Sequence, residues 1–214
     1  MNDKNKLVVM VSSTVYGIEE LLDRIYTLLT AFGYEVWMSH KGTMPVQSNL
    51  SAFENCLRAV ERCDLFLGLI TQYYGSGKDS GDISITHQEL RKAVELNKPR
   101  WLLAHDYVVF ARSLLKHLKY IKSGRPVNTG VTVKKNPAID DLRVIDMYEE
   151  AILSQKPLRD RQGNWVQKFQ TDEDALLFAT AQFSRYIEVE AFIKENLSNV
   201  SMISKSIRRK GNNS

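Results

Sequence analysis

The residues with chemistry to offer gather around one stretch, Cys63 to Trp101, and around the end of the first apolar run. Glu89 stands near the start of an amphipathic segment, directly after a loop rich in glycine and aspartate. A carboxylate there could act on a ligand resting against the loop. It could equally close a capping box, with Thr86 as N-cap, Glu89 three residues on, and Ile85 stapled onto Leu90. A carboxylate held on a backbone N–H is stabilised as the anion and is less free to attack. Ser12, Ser13 and Thr14 precede a second helical segment, where hydroxyls and backbone N–H groups suit a phosphate or a ribose, or simply cap the helix. Tyr16 offers a ring for stacking or for packing on the sheet edge. Tyr73 and Tyr74 follow an apolar run, and side chains alternate in extended chain, so at most one of them should face a common site; Tyr74 is the one assigned to it. The loop from Gly75 to Asp82 would form a wall, with Asp79 and Asp82 either taking ribose hydroxyls or forming turns. Of the histidines at 40, 87, 105 and 117, His87 alone falls near this group, and its place at a helix start suggests an exposed side chain.

The elements that must position these residues follow from periodicity. Leu7–Val11, Tyr34–Met38, Leu65–Ile70 and Arg100–Ala104 are short apolar runs of the kind buried on both faces of a parallel sheet. Between them, Ile18 to Phe32 carries apolar residues at threes and fours, and Gly33 follows as a left-handed stop. Ser51 with Glu54 forms a capping box before a helix reaching about Arg62. A third helix runs from His87 to Leu96. This β-α-β-α-β-α-β order with short connections predicts a doubly wound α/β fold of the flavodoxin-like kind, strand order 2-1-3-4-5. That order sets the ends of the first and third strands side by side, so Ser12–Thr14 and Tyr73–Gly75 should share one crevice.

Beyond His105 the pattern changes. Val108–Ile121 and Asp140–Leu153 read as helices, and turn signals within 123–137 suggest a hairpin. Trp165–Phe169 reads as a fifth strand, and Thr171 with Asp174 starts a long helix. Trp37 and Trp101 should lie in the core. The expectation is one domain, 1–197, with core 6–105 and about 160–197, an α-rich insertion at about 106–160, and a basic, disordered tail at 198–214.

The chain has 214 residues, 43% apolar and 25% charged, with a net charge of +4, an ordinary composition for a folded domain. Much of the basic excess sits at Lys205, Arg208, Arg209 and Lys210, where a solvated end explains it better than nucleic-acid or membrane contact. Cys56 and Cys63, two helical turns apart, cannot bridge, and there is no Cys/His cluster to suggest structural zinc. No apolar run reaches membrane-spanning length, so a cytoplasmic location is expected. No P-loop, GxGxxG, HExxH or nucleophile elbow is present, which removes support for kinase, dehydrogenase, zinc protease and esterase chemistry.

The segments LVVMVSST, CLRAVERCDLFLGLI, YYGS, SITHQEL and NKP resemble a bacterial TIR-like family of unknown function found beside NTPase modules in signalling and defence proteins. The likeness covers the first half best. Cys63-Asp64, the apolar strand, the Gly/Asp loop, Thr86-x-x-Glu89 and Lys98-Pro99 are more distantly similar to nucleoside 2-deoxyribosyltransferases. The second resemblance implies that Glu89 attacks or stabilises an anomeric carbon. N-glycosidic cleavage passes through an oxocarbenium-like state and needs a carboxylate there. Ser12, Ser13, Thr14, Tyr16, Tyr74, Gly75, Asp82 and Thr86 would hold the rest of a nucleoside or nucleotide. Two readings follow. One is an N-glycoside hydrolase or transferase acting on NAD or a (deoxy)nucleoside, without metal or resident cofactor, in signalling or antiphage defence. The other is a non-catalytic TIR-like module that binds a nucleotide or a protein. A homo-oligomer or a signalling partner protein fits either.

Overall fold

The computed structural model describes residues 6–75, 83–116, 134, 136–186, 188 and 191. Five strands form one parallel sheet in the order β2-β1-β3-β4-β5, from β1 (Val8–Ser13), β2 (Glu35–Trp37), β3 (Leu65–Ile70), β4 (Arg100–His105) and β5 (Val166–Phe169). This is the doubly wound, flavodoxin-like order that the alternation of strands and helices predicts. β3 is buried along its whole length, as its unbroken apolar sequence requires of a central parallel strand.

Alternation along the strands divides the core. Phe66 and Ile70 on β3, with Met10, Leu102 and Ala104, turn to one face. There they meet α2 (Ala52–Arg62), α3 (Ile85–Glu95) and α5 (Arg143–Ala151) through Cys56, Val60, Leu90, Ala93, Val144 and Ala151. The neighbouring residues Val9, Val11, Leu65, Leu67 and Leu69 are equally buried and point the other way. α1 (Glu19–Ala31) covers that second face, because its crossover runs to the opposite side of β1 from those of α2 and α3. Gly68 lies between Phe66 and Leu102, where a Cβ would stand 2.9 Å from Leu102 Cδ2 and 3.0 Å from Phe66 Cε1.

Local signals account for several helix ends. Ser51 Oγ accepts from Glu54 N at 3.2 Å and Glu54 returns a bond from Ser51 N at 2.8 Å, the capping box expected. Gly33 stops α1 at φ +93°, while Tyr34 N donates to Leu29 O and Gly33 N to Thr30 O, a left-handed terminus with two carbonyls satisfied. Thr171 and Asp174 exchange bonds at the start of α6 (Asp172–Phe183). α1 differs from expectation: its N-cap is Ile18 without a side-chain cap, so neither Ser13 nor Thr14 serves there. Trp37 is buried, but Trp101 is half-buried and Trp165 is 73% exposed.

The region after His105 is helical, as α4 (Asp106–Lys116) and α5. The remainder of the segment expected to be helical through Ile121, most of the expected hairpin and the basic tail fall outside the described residues. Asn136 and Ile139 form one isolated antiparallel bridge. The chain divides into compact units 1–176 and 177–214, and the site described below lies in the first. Among the described residues no helix is long and apolar enough to cross a membrane.

Candidate functional site

A cavity of about 1170 Å³ opens at the carboxyl ends of β1 and β3, the crevice that the strand order defines. Ser13, Thr14 and Tyr16 line it from the β1–α1 turn, Tyr73, Tyr74 and Gly75 from the end of β3, and Ser84, Ile85 and Thr86 from the start of α3. The last wall is Asn136, Pro137, Asp140 and Asp141, just before α5.

Each wall has a local cause. Ser13 Oγ donates to Thr14 O at 3.0 Å, and Gly17 at φ +80° lets the chain turn before α1. After β3, Thr71 Oγ1 accepts from Tyr73 N and donates to Tyr73 O, both at 3.2 Å. That side-chain turn ends the extended conformation, so the alternation expected of Tyr73 and Tyr74 does not apply and both line the cavity. Tyr16, 68% exposed, does not pack on the sheet edge; its ring meets Tyr73 edge-on at 4.9 Å. Gly75 has φ +94°, and a Cβ on it would approach Thr14 Oγ1 to 3.2 Å, so the two loops close tightly here.

The start of α3 is where the expected capping fails. The N-cap is Ser84, which accepts from His87 N at 3.4 Å, two residues before Thr86. Glu89 is therefore in the second turn and does not close a box. Its side chain reaches inward to β1, where Ser12 Oγ donates to Glu89 Oε2 at 2.5 Å. Burial pushes the Glu89 carboxyl up to about 7, although hydrogen bonds from Ser12 and Cys56 partly favour the anion. Glu89 is 5% exposed and Ser12 3%, and neither lines the cavity. Of the other expected site residues, Ser13, Thr14, Tyr16, Tyr74, Gly75 and Thr86 come together there, while Asp82 lies outside the described residues.

His87 is not the exposed residue that its place at a helix start suggests. It is 2% exposed, with Nδ1 2.8 Å from the Tyr74 hydroxyl and Nε2 3.0 Å from Glu150 Oε2. Glu150 also takes two bonds from Arg91, at 2.7 and 2.6 Å. Burial opposes the Glu150 anion, but Arg91 and His87 outweigh it and hold the carboxyl down at about 2. Sequence reasoning missed Asp140 and Asp141 as site residues by reading them as the first turn of a helix. α5 instead begins at Arg143; Asp140 Oδ1 accepts from Tyr74 N at 2.8 Å, and Asp141 accepts from Arg143. Among the described residues no group of three His, Cys, Asp or Glu is arranged to hold a metal ion.

Sheet order and cavity together define a flavodoxin-like α/β domain with an aromatic-edged cleft at its topological switch point. The chain belongs to the family described as a domain of unknown function (DUF4062), whose model matches residues 8–198. No curated protein matches it. A crystal structure of a conserved protein from Enterococcus faecalis V583 is similar over 83% of this chain and 99% of its own, at 9% identity and a TM-score of 0.36.

Proposed function

We propose that the cleft recognises a nucleoside- or nucleotide-class ligand, and that the domain works as a binding module rather than through covalent attack by Glu89. The observation that carries this reading is the position of Glu89, buried behind β1, hydrogen-bonded by Ser12 and absent from the cleft wall. A nucleophile must approach its carbon to about 3–3.5 Å. Glu89 would first have to break the Ser12 bond and pass the turn that Ser13 begins. The cleft itself suits such a ligand. At about 1170 Å³ it exceeds the roughly 300–1000 Å³ usual for small-molecule pockets. The Tyr16–Tyr73 pair supplies an aromatic edge, and Thr14, Thr86 and Asp140 supply groups that can meet sugar hydroxyls. The resemblance to TIR-like signalling and defence proteins supplies the setting, with a second copy or a signalling protein as partner.

N-glycosidic cleavage of NAD or a (deoxy)nucleoside is the second reading. It is favoured by one observation: Glu89 bonds the residue next to Ser13, which lines the cleft, so a small movement of the β1 turn would expose a carboxyl group that titrates near 7. One experiment separates the two. The protein is incubated with NAD, NADP and deoxynucleosides, and released nicotinamide or free base is measured beside equilibrium binding, for the wild type and for Glu89→Gln. Binding without turnover, unchanged in Glu89→Gln, supports the module. Turnover that Glu89→Gln abolishes without lowering the melting temperature overturns it.

A further inference from the structure

Tyr74 is held from three directions, two of them by the segment leading into α5 and the third by α3. Its backbone N–H donates to Asp140 Oδ1 at 2.8 Å. Its ring lies beneath the Arg143 guanidinium, 4.7 Å from the ring centroid. Its hydroxyl meets His87 Nδ1, whose other nitrogen meets Glu150. Asp140 N in turn donates to Gln72 O at 3.1 Å, closing a two-way connection between the end of β3 and the approach to α5. The hydrogen-bond roles are fixed at one end. Glu150, paired with Arg91, is a carboxylate and can only accept, so Nε2 of His87 carries a proton. Were the imidazole neutral, Nδ1 would accept from the Tyr74 hydroxyl, whose oxygen itself accepts from Ser84 N at 3.4 Å. Tyr74 lines the cleft while its hydroxyl is turned into the protein, 2% of the residue being exposed.

The far end of this chain lies near solvent. The side chains of Glu150 and Arg91 are 35% and 45% exposed. They border a second, mostly apolar hollow of about 290 Å³ between α3 and α5, floored by Leu90, Val94 and Leu153. We propose that His87 and Glu150 are positioning residues for the cleft: they fix Tyr74 as its wall, and so couple the ligand site to α5. The inference rests on the cleft being the ligand site. A ligand that needs Tyr74 to move must also disturb α5, and loss of the Glu150 acceptor that holds His87 must be felt in the cleft, because such coupling is reciprocal.

The test reads the coupling first without ligand, by amide hydrogen exchange followed residue by residue by NMR. The reporters are the Tyr74 and Asp140 amides, bonded to Asp140 Oδ1 and Gln72 O, with Glu35 N, bonded to Leu7 O, as control. Glu150→Ala leaves the His87 N–H without its partner. It should speed exchange at Tyr74 and Asp140 about tenfold or more, the factor that losing a hydrogen bond to a charged group carries, with Glu35 unchanged. Glu150→Gln, which keeps an acceptor, should recover most of the protection. Arg91→Gln, which removes only the ion pair, should change the reporters much less. Tyr74→Phe should speed both reporters, and adding Glu150→Ala to it should bring little more. Unchanged reporters in Glu150→Ala, equal effects from Arg91→Gln, or additivity with Tyr74→Phe would each overturn the coupling. NAD is then added as the ligand probe. If it binds, it should alter the Glu150 and Tyr74 amides together, and Glu150→Ala should change its Kd; binding that leaves both untouched counts against the proposal. If NAD and deoxynucleosides fail to bind, the nucleoside-class reading of the cleft fails, while the exchange data still decide the coupling.

Discussion

Replacing Glu89 by glutamine tests the buried carboxyl through stability alone. Glutamine keeps the size of the side chain and an acceptor for the Ser12 hydroxyl, and it removes the titrating proton. In the unfolded chain Glu89 titrates near 4.5, and in the folded protein near 7, because burial disfavours the anion. Between those values the folded protein binds a proton that the unfolded chain has released, so stability falls as pH rises. The contribution of the neutral side chain is fully present below about 4.5 and is lost as pH rises through about 7. That separation corresponds to roughly 3 kcal/mol for a group shielded from solvent. The assay is urea unfolding followed by circular dichroism from pH 4 to 9, for both proteins. Subtracting the two profiles removes the titration of distant groups. The wild type should lose roughly 3 kcal/mol relative to Glu89→Gln between about pH 4.5 and pH 8, most of it before pH 7.5. A difference that changes by less than about 0.5 kcal/mol across this range would refute the reasoning, since ionisation would then cost nothing. It would mean that water reaches the carboxylate.

Other outcomes follow from the same structure. Cys56 and Cys63 are buried and free, with burial pushing their thiols up to about 12 and about 11, so neither should react with a thiol reagent at pH 8 until urea unfolds the chain. Gly68→Ala drives a Cβ against Leu102 and Phe66 in a fully buried strand and should cost about 1–3 kcal/mol in urea unfolding. Ser51→Ala removes the hydroxyl half of the capping box on α2 and should cost about 1 kcal/mol by the same measurement, leaving the cleft unaffected. Gly75→Ala must strain a φ of +94° and crowd Thr14, so it should both destabilise the fold and weaken ligand binding, whereas Gly33→Ala, with open space at its Cβ, should only destabilise.

The sheet was legible because its signals are short-range and agree with one another. Apolar runs at Val8–Ser13, Leu65–Ile70 and Arg100–His105 alternate with helices whose ends carry their own markers, Ser51–Glu54 and Gly33 among them. Right-handed crossovers then leave few orders to choose from, and the cleft position follows from the order. The placement of Ser13, Thr14 and Gly75 at the crevice was legible because each position is fixed by the end of a strand. Sequence reasoning failed where two local patterns compete. Both Ser84 and Thr86 can cap α3, and the choice between them sets how far into the helix each later residue falls. With Ser84 as cap, His87 and Glu89 turn inward, one to Tyr74 and Glu150, the other to Ser12. Nothing adjacent in sequence announces those partners, since Glu89 lies 77 residues from Ser12 and His87 lies 63 from Glu150. A buried charge needs a partner, and a sequence discloses that need only after the fold says which face is buried. The two-residue shift of the cap puts Glu89 in the second turn rather than the first, and the face it shares with Thr86, Leu90 and Ala93 is the one that is buried. His87, two residues before Glu89, is buried on the same helix and meets Tyr74 and Glu150, the contacts on which the proposed coupling rests.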